Sequence, residues 1–128
     1  MNKLVAVVGM SGTGKSVITD YLESINWKKL YFGGITYKLM EEAGIERTTD
    51  GKSEKEFREK LREEHGPECY AKFLEPDILE AIKNGNVVLD GLYSWYEYKY
   101  LIEKFPQLIL ICVVTDKKLR YERVAQRP

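Results

Sequence analysis

The sequence predicts an α/β fold in three layers, with a mostly parallel sheet between helices. Short apolar runs rich in valine, isoleucine and leucine alternate with longer segments whose apolar residues recur at helical spacing. The runs lack polar alternation, which is typical of parallel strands covered on both faces. At 128 residues the chain is long enough for one compact core. We therefore expect residues 1–128 to form a single domain.

The first half of the chain predicts two strands and two helices, with glycines closing three of these elements. Residues 4–8 form the first strand. The helix from Lys15 to about residue 23 carries its apolar residues on one face: Val17, Ile18, Tyr21, Leu22 and Ile25. Residues 28–32 form the second strand, and residues 35–43 form a short helix.

The middle of the chain predicts two longer helices. A capping box at Ser53 and Glu56 starts a helix over about residues 53–65, because each side chain can bond a free backbone amide. Glycine followed by proline then ends this helix and starts the next one, over about residues 67–83.

Two more strands are predicted in the last third, at residues 86–90 and 108–114, followed by a helix through residue 125. Ser94 and Glu97 repeat the capping-box pattern between them. The helix that they open carries one apolar stripe, which we expect to pack in the core: Trp95, Tyr98, Leu101 and Ile102.

Charge and composition exclude several classes of function. Lysine plus arginine and aspartate plus glutamate number 20 each, so no net charge draws the protein to nucleic acid or an anionic membrane. The longest apolar run is too short to span a bilayer, and glycine and lysine interrupt the first apolar run before it reaches the length of a secretory segment. We therefore expect a cytoplasmic protein without a nucleic-acid or membrane partner, with Cys112 reduced and buried.

Residues 9–16, GMSGTGKS, fit the phosphate-binding pattern G-x-x-x-x-G-K-[ST] between a strand and a helix. A loop around a polyphosphate must turn successive backbone amides inward, which requires conformations that glycine adopts readily. The following helix adds its free amides and its positive dipole end. The nucleotide contacts expected from this motif are Gly9, Ser11, Gly12, Thr13, Gly14, Lys15, Ser16 and Val17.

The same motif predicts a magnesium site. Lys15 is expected to contact the β- and γ-phosphates, and the Ser16 hydroxyl is expected to bind Mg²⁺. Asp90 follows a buried strand at the edge where the loop should lie, so its carboxylate is the second predicted metal ligand. The alternative is that Asp90 only forms a turn with Gly91.

With GMSGTGKS, VVLDG and ERVAQR in this order, the chain resembles the adenylate-kinase-like P-loop kinases of small molecules. Within them it is most similar to the dephospho-coenzyme A kinase-like and nucleoside-monophosphate-kinase-like proteins. The resemblance implies a P-loop NTPase fold with five parallel strands, a helical acceptor-binding insert over about residues 35–84 and a lid from about residues 123–128. It also implies ATP and Mg²⁺ as cofactors.

The resemblance gives roles to two arginines near the end of the chain. Arg123 and Arg127 match the family's E-R-x-x-x-R segment, which contacts ATP and stabilises the charge on the transferred phosphoryl group. Together with Lys15 and Asp90 they form the expected catalytic set. The alternative is that Arg123 lies on a solvated helix face.

The expected acceptor contacts depart from the family's pattern. Relatives place one arginine shortly after the second strand and another just after D-G, whereas this chain has Tyr37 and Tyr93 there. A phenol offers one hydrogen bond where guanidinium offers a charged fork, so the acceptor is either less anionic or held by Lys38. The acceptor contacts expected on this basis are Gly33, Gly34, Tyr37, Lys38 and Tyr93.

These residues predict a phosphotransferase that moves the γ-phosphoryl group of Mg·ATP to a small nucleotide-like acceptor, such as a nucleoside monophosphate or dephospho-coenzyme A. The two tyrosines in place of arginines favour one alternative, a nucleotide-binding regulatory module with no acceptor. Only four strands are found, so we also expect a kinase domain whose natural chain continues beyond residue 128. The alternative for the exposed edge of residues 108–114 is a homodimer.

Overall fold

The computed structural model describes residues 2–10, 12–92 and 94–127. Four strands and six helices follow one another in this part of the chain: β1 (Leu4–Val8), α1 (Lys15–Ser24), β2 (Lys28–Tyr31), α2 (Phe32–Ala43), α3 (Lys52–His65), α4 (Cys69–Asn84), β3 (Val87–Asp90), α5 (Trp95–Lys104), β4 (Ile109–Cys112) and α6 (Lys117–Ala125). None of these helices is long and apolar enough to cross a bilayer.

The sheet is parallel throughout, with the strands in the order β2-β3-β1-β4. Every strand is followed by at least one helix, which returns the chain to the same end of the sheet. The predicted α/β class with a four-stranded parallel sheet is confirmed. All four strands consequently end at one edge, where the phosphate motif follows β1.

Helices cover both faces of the central strands. On one face, β1 and β3 pack in a large cluster with α4 and α5 that includes Leu4, Leu89 and Leu101. On the other face, Val7 packs in a smaller cluster that residues of α1 complete. Burial on both sides explains why β1 is an uninterrupted apolar run, as the sequence predicted.

α4 is part of this core although it lies within the predicted insert. Leu74 and Ile78 are buried in the large cluster, and α4 contacts both β2 and β3. α3 instead contacts α2 and α4, and Glu54 is its one buried residue. α4 therefore packs directly on the sheet, whereas α3 contacts mainly other helices.

β4 differs from its prediction in length and burial. It pairs with β1 alone, at one edge of the sheet, and all four of its residues are exposed. Cys112 is consequently an exposed thiol rather than the buried one that we expected. An edge strand differs from a central one in how many strands pair with it and in which elements cover it. An apolar run in a sequence does not contain that information.

One predicted helix start and one predicted helix cap are wrong. α2 begins at Phe32, so Gly33 and Gly34 lie in its first turn instead of closing β2. Phe32 is almost fully buried, and this packing outweighs the low helix propensity of two glycines. α3 begins without a side-chain cap, and the Ser53 hydroxyl donates to the carbonyl of Glu46.

The start of α5 is confirmed, but its apolar stripe is only partly buried. The Ser94 hydroxyl accepts a hydrogen bond from the Glu97 amide at 3.2 Å, as a capping residue should. Leu101 is fully buried, whereas Trp95 is 65% exposed. α5 therefore turns its later residues to the core and leaves Trp95 on the surface.

The contrast between α4 and β4 gives a prediction for stability. Replacing Ile78, which is fully buried, with alanine should lower the free energy of unfolding by about 2–5 kcal/mol, because it removes core contacts and leaves a cavity. The same change at Ile109, which is 51% exposed, should cost less than about 1 kcal/mol. Urea unfolding measures both. Equal losses would show that the exposed face of β4 is covered in solution.

Candidate functional site

The phosphate loop joins β1 to α1 and has little space for side chains. Gly12 has a φ of 84°, in the left-handed region, and a Cβ built there would lie 2.6 Å from the carbonyl oxygen of Arg120. At Gly9, a Cβ would lie 2.8 Å from the carbonyl oxygen of Val113. The glycines thus allow the loop to lie directly against the segment that follows β4.

Hydrogen bonds fix the loop to that segment. Arg123 Nη1 donates to the carbonyl of Gly12 at 3.1 Å, and the Thr115 hydroxyl donates to the carbonyl of Thr13 at 2.9 Å. These bonds satisfy two backbone carbonyl groups of the loop. The loop is therefore held from outside by residues more than a hundred positions away.

A polar pocket of ≈ 350 Å³ opens where the loop meets the ends of β2 and β3. Its lining consists of Gly12, Thr13, Gly14, Lys15, Ser16, Tyr31, Asp90 and Arg127. The predicted cation, hydroxyl and carboxylate are therefore brought together in one place, together with loop backbone. This is the arrangement that a polyphosphate with a divalent cation requires.

Strand register places Asp90 in this pocket. It pairs with Val7 of β1 on one side and with Tyr31 of β2 on the other. Burial raises the pKa of Asp90, and the nearby Lys15 and Lys29 oppose that rise. The carboxyl is thus a partly desolvated group that a cation would stabilise in its ionised form.

The donors present fit Mg²⁺ held partly by a nucleotide. Within the described ranges, no group of three or more histidine, cysteine, aspartate or glutamate side chains could hold a metal alone. Mg²⁺ commonly takes one or two protein oxygens and completes its shell with phosphate oxygens and water. Asp90 and Ser16 match that requirement.

The two arginines from the end of the chain lie at the loop. Both line an open cleft of ≈ 570 Å³ on the loop's other side, with Val17 and Val113. Arg127 also lines the phosphate pocket. Although both residues are exposed, Arg123 is anchored to the loop rather than directed into solvent, so a freely solvated side chain does not describe it.

The expected acceptor residues do not gather at one place. Gly33 lines a small cavity with α3 and α5, and Gly34 lies beside the ring of Tyr31. Tyr37 and Lys38 are exposed on α2, and the guanidinium of Arg47 lies 3.8 Å above the Tyr37 ring. Two further predicted contacts, Ser11 and Tyr93, lie outside the described residues.

Several polar groups near the pocket were not predicted from the sequence. Tyr31 ends β2 and lines the phosphate pocket. Arg58 and Arg62 of α3 line the small cavity next to it, together with the buried Glu97. A weak signal existed, because Arg58 and Arg62 are four residues apart and share one face of a helix.

Comparison with known proteins agrees with this fold. Residues 5–128 match the family AAA_18, described as an AAA domain. The chain is 30% identical over 127 residues to a UPF0200 protein of Thermococcus onnurineus, covering 97% of this chain and 68% of the relative. It is 28% identical to a UPF0200 protein of Thermococcus sibiricus and spans 66% of that relative's length.

Two solved structures share the fold. One is a gluconokinase from Sinorhizobium meliloti 1021, with a TM-score of 0.55 and 20% identity, covering 98% of this chain and 65% of that one. The other is a sugar kinase from Janibacter sp. HTCC2649, with a TM-score of 0.56 and 15% identity, covering 100% of this chain and 69% of that one. From the match over residues 5–128 and the identity to the Thermococcus onnurineus protein, the chain belongs to the AAA_18 family and to the UPF0200 proteins.

Proposed function

We propose that the protein is an ATP- and Mg²⁺-dependent phosphotransferase that acts on a small-molecule acceptor. The observation that carries this proposal is the meeting of Lys15, Ser16 and Asp90 around one polar pocket beside a glycine loop. A glycine-rich turn with a structural role alone would not need a lysine and a half-buried carboxyl directed to the same space.

The proposed roles follow from charge and position. Loop amides and the start of α1 bind the phosphates, and Lys15 neutralises charge on the β- and γ-phosphates. Asp90 and Ser16 would hold Mg²⁺, which supplies further positive charge to the phosphate oxygens. Arg123 holds the loop through Gly12, and Arg127 contributes a guanidinium at the pocket.

In the proposed reaction, an acceptor oxygen forms a bond to the γ-phosphorus while the bond from that phosphorus to the β–γ bridging oxygen breaks. ADP leaves with the electron pair of that bridging oxygen, and a hydroxyl acceptor releases its proton to solvent. Such a transition state offers little covalent chemistry for a protein to assist. Positioning and positive charge are therefore the contributions that these residues can make.

Two acceptor classes have support of different kinds. The sequence resemblance favours a nucleoside monophosphate or dephospho-coenzyme A. The fold neighbours are named for gluconate and sugars, which favours a hydroxylated small molecule. Phosphate transfer from ATP to AMP, dephospho-coenzyme A and gluconate tests both. ATP binding with no transfer to any acceptor would favour the regulatory module instead.

Nucleotide binding should depend on Lys15. Lys15→Ala should weaken Mg·ATP binding at least about thirtyfold, because it removes a charged hydrogen bond worth about 2 kcal/mol. Isothermal titration measures the affinity. Lys3→Ala is the matched control, since Lys3 is exposed at the opposite end of β1. Equal affinities in the two variants would contradict the phosphate site.

In the nucleotide-free protein, the partly buried carboxyl of Asp90 should lower the free energy of unfolding at neutral pH. A carboxyl whose pKa is raised by folding destabilises the native state above its unfolded pKa, and the effect disappears at lower pH, where both states are protonated. Asp90→Asn should therefore raise the free energy of unfolding at pH 7, with no gain below about pH 4.

Urea unfolding at several pH values measures this gain in the free energy of unfolding. Titration with ATP in the presence and absence of Mg²⁺ tests the proposed role of Asp90 as a metal ligand. Asp90→Asn should abolish most of the affinity that Mg²⁺ adds, because it removes an anionic ligand. A loss of stability at pH 7 would show that attraction to Lys15 and Lys29 outweighs burial. Unchanged Mg²⁺ dependence would exclude Asp90 as a metal ligand.

A further inference from the structure

Tyr31 lines the phosphate pocket but has no part in the proposed reaction. It ends β2, and the strand order places β3 between β2 and β1. Since the phosphate loop follows β1 and Asp90 ends β3, Tyr31 lies on the far side of Asp90 from the loop. Neighbouring strands are about 4.8 Å apart, so Tyr31 begins next to the predicted metal ligand. The pocket therefore extends from the loop, across Asp90, to this phenol.

The first turn of α2 leaves space for the Tyr31 ring. A Cβ built at Gly33 would lie 2.5 Å from both Cζ and the hydroxyl oxygen of Tyr31, which is closer than packed atoms come. Glycine is unfavourable inside a helix, and at this position it provides the room that the tip of the ring occupies. The ring is consequently packed on α2, even though 47% of the residue is exposed.

The hydroxyl of Tyr31 differs from those of two less exposed tyrosines. The Tyr70 hydroxyl shares a 2.9 Å hydrogen bond with Thr36, and the Tyr100 hydroxyl donates to Glu75 at 2.8 Å. Within the described ranges, no hydrogen bond engages the hydroxyl of Tyr31. A phenol has one O–H to donate, and an ionised phosphate oxygen is a strong acceptor. The pocket thus contains an available donor on the side away from the loop.

The order of the strands indicates which phosphate this donor would meet. In the phosphate motif, Lys15 contacts the β- and γ-phosphates, and Asp90 is placed to hold the metal that those two groups share. The γ-phosphate ends the nucleotide chain, so it is the group that extends from the loop past Asp90. Tyr31 lies beyond Asp90 and consequently faces the γ-phosphate rather than the α- or β-phosphate.

We propose that the Tyr31 hydroxyl donates a hydrogen bond to the γ-phosphate of the bound nucleotide. Tyr31 is then a catalytic residue, because it contacts the phosphoryl group that is transferred. Gly33 is a positioning residue, because it leaves room for the ring that carries this hydroxyl. This inference rests on the proposed function, since it adds a contact to the nucleotide of the same site.

Isothermal titration with ADP and with a non-hydrolysable ATP analogue, both at saturating Mg²⁺, tests the inference. Tyr31→Phe keeps the ring on Gly33 and removes only the hydroxyl. It should weaken binding of the analogue at least about tenfold, because a hydrogen bond to a charged group is lost. The affinity for ADP should not change, because ADP has no γ-phosphate. A residue that only packs against α2 would leave both affinities unchanged.

Tyr21→Phe is the matched control, because it removes the same hydroxyl from a tyrosine that is 61% exposed and does not line the phosphate pocket. It should change neither affinity. Gly33→Ala tests the position of the ring, since the added methyl group displaces it. This variant should weaken binding of the analogue when Tyr31 is present, and it should have no further effect in combination with Tyr31→Ala.

The inference is overturned if Tyr31→Phe leaves the affinity for the analogue unchanged or lowers the affinity for ADP equally. It is also overturned if Gly33→Ala weakens the analogue by the same factor with and without the Tyr31 side chain. Lys15→Ala tests the proposed function separately. Loss of Mg·ATP binding in that variant, with no effect of Tyr31→Phe, would reject the Tyr31 contact alone.

Discussion

The pairing of β1 with β3 is the constraint on which the rest of the site depends. Its register puts Val7 opposite Asp90, two residues before the phosphate loop begins at Gly9. A shift by one residue would turn the carboxyl to the other face of the sheet, away from Lys15. Burial of β1 and β3 on both faces fixes that register, so the core determines the geometry of the metal ligand.

The loop itself depends on distant contacts. Its conformation is allowed by glycine, but Thr115 and Arg123 bind two of its carbonyl groups from beyond β4. These residues can reach the loop because β4 is parallel to β1 and ends at the same edge of the sheet. β4 is thus a thinly covered strand that nevertheless carries the chain to the phosphate site.

Features that depend on adjacent residues were predictable from the sequence, whereas contacts between elements that are distant in the sequence were not. β1 and the Ser94 cap were found because their signals lie within a few adjacent residues. The exposure of Cys112 depends on which elements neighbour β4, and a sequence run does not contain that information. Similarly, Arg62 and Glu97 belong to different helices, so their contact could not be predicted from the sequence pattern of either helix.

α4 and α3 are attached to the rest of the fold in different ways. α4 buries Leu74 and Ile78 against the sheet, so its movement would disrupt the core. α3 has Glu54 as its one buried residue, and it is joined to α5 by the pair of Arg62 and Glu97. Separating this pair would leave Glu97, whose side chain is 1% exposed, as an uncompensated buried charge. α4 is therefore held by apolar burial, whereas α3 is held in part by a buried charge whose separation from Arg62 would be unfavourable.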